Sequence, residues 1–229
     1  MTDKRTLADV EAGLDMSLRE AMTSQRAVRR LLPEPVDDDI VRRCIELATK
    51  APTGGNGQNW EFVVVKDATV KRRLGAQYAR AWSLYGRAGR RVAAGKPGMD
   101  KILDAVQWQV DHFDEIPVLI VCCLRGAKIP YLPAPAIAES SFYGSIYPSV
   151  QNLLLSARAM GLGASLITLP LWSVTAARTI LHLPVKVTPC CIVPLGWPRG
   201  RYGPTTRKPA EEIMHLDRYG NRAWRRDSP

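Results

Sequence analysis

Apolar residues recur at helical spacing in several separate segments of the chain. In the first segment, leucines and a valine follow one another at steps of three or four residues, which predicts a helix over 7–22. A second predicted helix begins at the acidic run 37–39, whose side chains can cap it, and ends before Pro52. Two further helices are predicted over 145–160 and 173–181.

Short runs of β-branched and other apolar residues predict four strands, over 60–65, 118–124, 164–168 and 187–195. The run over 118–124 is apolar throughout and is flanked by Pro117 and Gly126, which is typical of a strand buried on both faces. The mixture of elements predicts an α+β protein in which helices dominate.

We interpret residues 1–229 as a single domain, because no repeat or long linker divides them. Residues 67–113 predict an irregular helical segment, interrupted by glycines and a proline between Gly86 and Gly98. Residues 199–229 predict an extension that lies along a surface of this subunit or of another one, since they contain too few apolar residues to fold alone.

The net charge of +10 is concentrated locally, with nine basic residues and one acidic residue over 71–101. Such a block suggests an anionic partner, so nucleic-acid binding is an alternative function. No aromatic residues are interleaved with these arginines in the pattern of a nucleic-acid motif, and we therefore expect no nucleic-acid partner.

The five cysteines predict no disulfide framework, because four of them form the vicinal pairs 122–123 and 190–191 inside apolar runs. The N-terminal residues lack the pattern of a secretory signal, and the longest apolar run is far shorter than the roughly 20 residues that span a bilayer. We expect a cytoplasmic protein with no membrane partner.

The common motifs of side-chain and metal catalysis are absent from the sequence. Gly161 and Gly163 lack the third glycine of a dinucleotide fingerprint, no Gly-x-Ser-x-Gly occurs, and the three histidines lie far apart. We therefore expect no metal and no catalytic side chain. What remains are side chains that can donate hydrogen bonds to an anion or to a polar ring edge. They are the arginines over 26–30, the amides over 56–59, and the basic pair 207–208.

The order of these donors resembles the FMN-dependent nitroreductase family. Residues 25–29 stand where the family has Arg-x-Ser-x-Arg/Lys, and residues 51–60 resemble its Ala-Pro-Ser-x-x-Asn-x-Gln-Pro-Trp block. Residues 151–163 resemble its Gln-Asn-Leu-Leu-Leu helix with Gly-Leu-Gly, and residues 196–198 and 207–209 resemble its Gly-x-Pro and Arg-x-Pro turns. Gln25 and Ala27 depart from the first block, so one charge and one hydroxyl of the family pattern are missing.

The resemblance implies a nitroreductase-like fold with a central, mostly antiparallel sheet flanked by helices, in an intertwined homodimer. It also implies that FMN lies at the dimer interface, accepts hydride from NADPH or NADH, and passes it to a small-molecule electron acceptor bound in turn. The residues that it implies for cofactor binding are Arg26, Ala27, Arg29, Pro52, Thr53, Asn56, Gln58, Leu166, Ile167, Thr168, Leu169 and Arg207.

Residues 67–113 match a variable segment that often covers the open flavin face in the family. Its arginines suggest attraction of the 2′-phosphate of NADPH, and four residues are candidates for the substrate site: Trp82, Tyr85, Arg90 and Tyr131. Other functions of the same fold stay open, namely a reductive dehalogenase, an enzyme that consumes its flavin, and a flavin-storage protein.

Overall fold

A four-stranded antiparallel sheet forms the centre of the protein in the computed structural model, which describes residues 5–93, 96, 98–126 and 136–223. The strands are β1 (Trp60–Val65), β2 (Val118–Arg125), β3 (Gly163–Ala164) and β4 (Val187–Gly196), in the spatial order β1-β2-β4-β3. The predicted α+β class and the antiparallel sheet are thereby confirmed.

Eight α-helices are described around this sheet. They are α1 (Leu7–Val10), α2 (Leu18–Ser24), α3 (Asp38–Ala48), α4 (Ala68–Ala93), α5 (Met99–Asp111), α6 (Ala136–Gly144), α7 (Tyr147–Ala159) and α8 (Val174–Leu181). None of the helices in the described ranges is long and apolar enough to cross a membrane.

Helices α3 and α7 cover one face of the sheet. Helix α7 is central because Val150, Leu153 and Ala157 are buried against alternate residues of β2 and β4. Helix α3 packs beside α7, and the Asp37 carboxylate caps its N-terminus by accepting a hydrogen bond from the Asp39 N–H. The acidic run therefore acts as the sequence predicts.

Helices α4 and α8 cover the opposite face, together with residues 113–116. Leu74 and Tyr78 of α4 are buried there, and the Tyr78 ring meets Phe113 edge to face at 5.4 Å. Because successive residues of a strand point to opposite faces, β2 can supply apolar side chains to both layers only if it is apolar throughout. The observed burial of 118–124 confirms that prediction.

Three predicted helical segments differ from the structure. The helix over 7–22 is split into α1, a 3₁₀ turn (Glu11–Asp15) and α2, with Ser17 capping the second helix. Helix α4 runs unbroken through Gly86 and Gly89, because isolated glycines weaken a helix without ending it. The helix over 145–160 begins at Tyr147, and the preceding α6 was not predicted.

The strand predicted over 164–168 is reduced to β3 and one later bridge, Ile167 to Ile192. The physical reason lies in β4. Ile192 exchanges both of its backbone hydrogen bonds with Ile167, and the alternation of an antiparallel ladder makes Pro194 the next residue to face β3, opposite Ser165. Proline has no N–H to donate, so the ladder is interrupted at this point.

The first part of the C-terminal extension is attached to its own chain as far as Thr205. Leu31 forms a bridge with Pro198, and the Thr205 N–H donates to the Thr23 carbonyl at 2.8 Å. The extension is therefore tied to the turn that follows α2, which brings residues 198–202 next to residues 26–30.

All five cysteines lie within the described residues, and they are buried and form no disulfide. Cys122 and Cys191 face each other across β2 and β4. Burial raises the pKa of the Cys44 and Cys123 thiols to about 12, so they are protonated at neutral pH. Protonated, buried thiols are poor nucleophiles.

We expect the native protein to resist thiol-reactive dyes at about pH 8, because the thiolate fraction and the access are both small. Five thiols should react after unfolding in guanidinium chloride. The measurement is the absorbance released by a chromogenic disulfide reagent, with the denatured protein as the control. Rapid reaction of any cysteine in the native protein would contradict the buried positions.

Candidate functional site

An arginine-rich cleft of about 340 Å³ lies beside the end of β4. Three segments form it: the turn after α2, the start of the C-terminal extension, and one residue of α5. Its lining residues are Arg26, Ala27, Val28, Arg29, Arg30, Ala105, Pro198, Arg199, Gly200, Arg201 and Tyr202. We call this site the arginine cleft.

Backbone hydrogen bonds attach the first segment to the edge of the sheet. The Val28 N–H donates to the Ala164 carbonyl at 2.9 Å, and the Leu32 N–H donates to the Trp197 carbonyl at 2.8 Å. Gly163 permits this close approach, since a Cβ there would lie 2.8 Å from the Val28 side chain. The arginines of 26–30 are thus carried by a segment whose backbone is fixed.

The second segment is held by its own side chains. The Arg199 N–H donates to the Arg30 carbonyl, and the Arg199 Nε donates to the Leu31 carbonyl. The Arg199 guanidinium lies 5.2 Å from the centre of the Trp108 ring on α5. The Tyr202 hydroxyl donates to the Leu162 carbonyl, and the Arg158 guanidinium lies 4.1 Å above the Tyr202 ring. The cleft therefore has a preformed wall.

The charge of the arginine cleft is strongly positive. Five of its lining residues are arginines, and none of the residues that line it in the described chain is acidic. Arg29 is half-buried, its Nε has no hydrogen-bond partner, and burial lowers its pKa. A buried guanidinium donor without an acceptor is costly, so this cleft is suited to an anionic ligand.

A second group of predicted residues lies in the loop before β1. Asn56 and Gln58 have positive φ angles of 51° and 45°, and the Gln58 side-chain amide donates to the Asn56 side chain at 3.2 Å. The Gln58 N–H donates to the Thr53 hydroxyl, and the Gly54 N–H donates to the Ser145 hydroxyl at 3.3 Å. The loop thus presents exposed Pro52, Asn56 and Gln58 on a fixed backbone.

The loop and the arginine cleft lie at opposite ends of the sheet. Trp60, which follows the loop, pairs with Leu124 near the start of β4, whereas the arginine cleft adjoins the end of β4. The ten residues of β4 span about 30 Å at roughly 3.3 Å per residue. One chain therefore does not bring all the predicted cofactor residues together.

The segment 166–169 lies between these groups, along the outer edge of β4. Ile167 is buried by its bridge to Ile192, Leu166 and Thr168 are exposed, and Leu169 opens a 3₁₀ turn. Arg207 lies outside the lining of the arginine cleft, is exposed, and bonds the neighbouring Thr206 carbonyl. Asn59 caps its turn by donating to the Arg125 carbonyl at 2.8 Å.

Two of the predicted substrate residues share a smaller cavity of about 200 Å³, lined in part by Trp82 and Arg90. The Arg90 guanidinium lies 3.3 Å from the Asp104 carboxylate. Tyr85 lies edge to face with Trp172, with ring centres 5.8 Å apart. Tyr131 and the side chains of Arg87 and Arg91 lie outside the described residues.

Sequence reasoning missed the second wall of the arginine cleft. Arg199 and Arg201 directly follow the turn 196–198, and this proximity was the available signal. Tyr202 could not be found, because its role depends on contacts with Leu162 and Arg158, about 40 positions away. The described residues contain no group of three or more potential metal ligands.

Comparison with known proteins matches residues 22–197 to a model of the nitroreductase family. An iodotyrosine deiodinase of Nematostella vectensis is 24% identical over 200 residues, covering 86% of this chain and 74% of that protein. An NADH dehydrogenase of Thermus thermophilus is 26% identical over 212 residues, covering 87% and 95%. The chain spans about two thirds of the length of the deiodinases of Danio rerio and Homo sapiens.

The fold is also that of a solved structure of oxidized iodotyrosine deiodinase bound to FMN and 3-iodo-L-tyrosine. The two structures superimpose with a TM-score of 0.66 at 21% identity, over 90% of this chain and 100% of that chain. At this identity the likeness concerns the fold.

Proposed function

Since residues 22–197 match its model, the chain belongs to the nitroreductase family, and from this we propose an FMN-dependent oxidoreductase. It takes hydride from NAD(P)H, with NADPH favoured, and delivers it to a nitroaromatic, quinone or similar electrophilic acceptor. The donor and the acceptor bind in turn. The cytoplasmic location and the single-domain organisation remain predictions.

The arginine cleft is the observation that carries this proposal. FMN has a doubly charged phosphate and a polar ring edge, and the cleft offers five guanidinium groups without a carboxylate. We assign phosphate binding to Arg26, Arg199 and Arg201 and place Arg29 at the polar ring edge. Arg207 remains a candidate phosphate ligand because its side chain is exposed and because it follows the cleft residues 199–202 closely in the sequence.

The role of Arg29 follows from its burial. A bound flavin supplies two-electron chemistry by accepting and donating hydride, and the protein positions it and tunes its electronics. A half-buried positive charge stabilises negative charge that develops nearby, because the surrounding dielectric is lower than that of water. The orphaned Arg29 Nε would obtain its acceptor from this ligand.

The separation of the two residue groups supports a homodimer. The loop with Thr53, Asn56 and Gln58 lies at the far end of the sheet from Arg29, so both can contact one flavin only if two chains contribute to each site. A symmetric dimer would then contain two equivalent sites. The residues 166–169 would line the flavin from the same subunit as Arg29.

A second candidate is reductive dehalogenation by the same cofactor. The deiodinase of Nematostella vectensis favours it, because it matches 86% of this chain. The cavity beside Trp82 and Arg90 would accept an aromatic substrate in either case. The two activities differ in the acceptor that reoxidises the flavin.

One prediction concerns the cofactor and its chemistry. We expect the protein to bind FMN and its visible absorption to bleach when NADPH is added without oxygen, then to return with a quinone or a nitroaromatic. If an iodinated phenol restores the absorption and iodide is released, the dehalogenase is favoured. If FMN is destroyed under oxygen, the protein is a flavin-consuming enzyme. If FMN binds but NAD(P)H does not reduce it, the protein stores flavin. If the protein does not bind FMN, the proposal is refuted.

Arg29→Ala tests the ring-edge assignment. We expect the Kd for FMN to rise by roughly 10- to 100-fold, because a hydrogen bond to a charged group is worth about 1.5–3 kcal/mol. The rate of flavin reduction should fall as well. Arg42→Ala is the matched control, since Arg42 is exposed on α3 and pairs with Asp39; equal effects of both variants would remove Arg29 from the site.

A further prediction concerns the hydride donor. Arg80 is exposed on α4 in the basic segment 71–101, so we expect kcat/KM to favour NADPH over NADH by about tenfold at low salt. Added salt should reduce this ratio, because it screens exposed charges. Comparable turnover with both donors at low salt would contradict the assignment.

A further inference from the structure

A chain of buried hydrogen bonds runs below the arginine cleft. The Tyr78 hydroxyl on α4 donates to the Gln109 side-chain carbonyl on α5 at 3.3 Å, and the Gln109 amide donates to the Ser165 hydroxyl at 3.3 Å. Tyr78 is 2% exposed, and Gln109 and Ser165 are fully buried. Three elements distant in sequence thus share one polar network inside an apolar layer.

This network lies close to both sides of the proposed flavin site. Arg29 lines the arginine cleft together with Ala105, which precedes Gln109 by about one turn of α5. Consistent with this placement, Arg29 and Tyr78 each shift the pKa of the other. Ser165 lies between Ala164, which accepts the Val28 N–H, and the segment 166–169. The network therefore lies between the residue assigned to the ring edge and the segment assigned to line the flavin.

One hydrogen bond is missing from the ladder beside the network. Pro194 lies opposite Ser165 and has no N–H to donate to the Ser165 carbonyl, whereas Ala164 and Ile167 pair with Leu195 and Ile192. The Gln109 amide donates to the Ser165 hydroxyl, so this side chain is also bonded to α5. Ser165 is thus held from α5 at a position where the ladder is weakened.

Packing alone does not require these polar groups. The Tyr78 ring already packs against Phe113, and a phenylalanine would preserve that contact. A buried polar network costs free energy unless all its members are paired. Burial raises the pKa of Tyr78 to about 12, so its hydroxyl keeps the proton that it donates.

We propose that Tyr78 and Gln109 are positioning residues of the redox site, which hold Ser165 with the segment 166–169 on one side and orient Arg29 on the other. The inference rests on the proposed function. In this view, side chains of α4 and α5 position the residues that surround the flavin.

The test uses Tyr78→Phe and Gln109→Leu in the FMN-loaded protein, with two readouts: the Kd for FMN and the midpoint potential of the bound flavin. We expect a Kd about tenfold higher for Gln109→Leu, which leaves two buried partners unpaired, and a smaller rise for Tyr78→Phe. Both variants should lower the potential, in the same direction as Arg29→Ala, because a misplaced positive charge stabilises the reduced flavin less.

The double variant Tyr78→Phe with Arg29→Ala separates positioning from a general loss of stability. If Tyr78 acts through Arg29, the two effects on the potential are not additive. Additive effects would overturn the inference. Ser156→Ala is the matched control, since it also removes a buried hydroxyl, which donates to the Leu153 carbonyl on α7 at the opposite face of the sheet; its FMN affinity and potential should stay at the wild-type values.

The remaining outcomes are also decisive. If Gln109→Leu fails to fold, Tyr78→Phe decides alone, since it keeps the ring. If the wild type binds FMN and is reduced while Tyr78→Phe has an unchanged Kd and potential, the inference fails and the proposed function stands. If the wild type takes up no FMN, both fail.

Discussion

The complete burial of β4 is the constraint on which the rest of the structure depends. All ten of its residues are buried, since β2 and β3 flank it and helical layers cover both faces. Its two ends determine where the proposed site can form, because the arginine cleft adjoins Gly196 and the loop 53–58 lies towards Val187. A rigid strand of this length keeps the two groups apart within one chain, which is why we propose that two chains contribute to each site.

Pro194 links this strand to the site chemistry. A proline inside a buried strand removes one ladder hydrogen bond, which ends β3 after Ala164. The segment 166–169 then returns to the strand at Ile167. The local break explains why a continuous strand does not form here, and at the same point the Ser165 hydroxyl accepts a hydrogen bond from the Gln109 amide.

The arginine cleft concentrates positive charge on one surface. Guanidinium groups of Arg26, Arg29 and Arg199 share one concave surface with no carboxylate among its lining residues. Arg199 is immobilised by Leu31 and Trp108, and Tyr202 by Leu162 and Arg158, so the cleft is shaped before a ligand arrives. Such preorganisation reduces the entropy that binding would otherwise cost.

The sequence by itself determined the α+β class, the buried strand β2, the cap of α3 and the first arginine segment, because these depend on local periodicity, capping and motif order. It did not locate Tyr78, Gln109, Ser165, Arg199 or Tyr202, whose roles arise from contacts between elements far apart in the chain. The length of the strand at 164–168 was not predicted from the sequence, since that length depends on a proline 29 positions after Ser165. Tertiary structure alone decided these features, because hydrogen-bond partners and shared charge are properties of proximity in space.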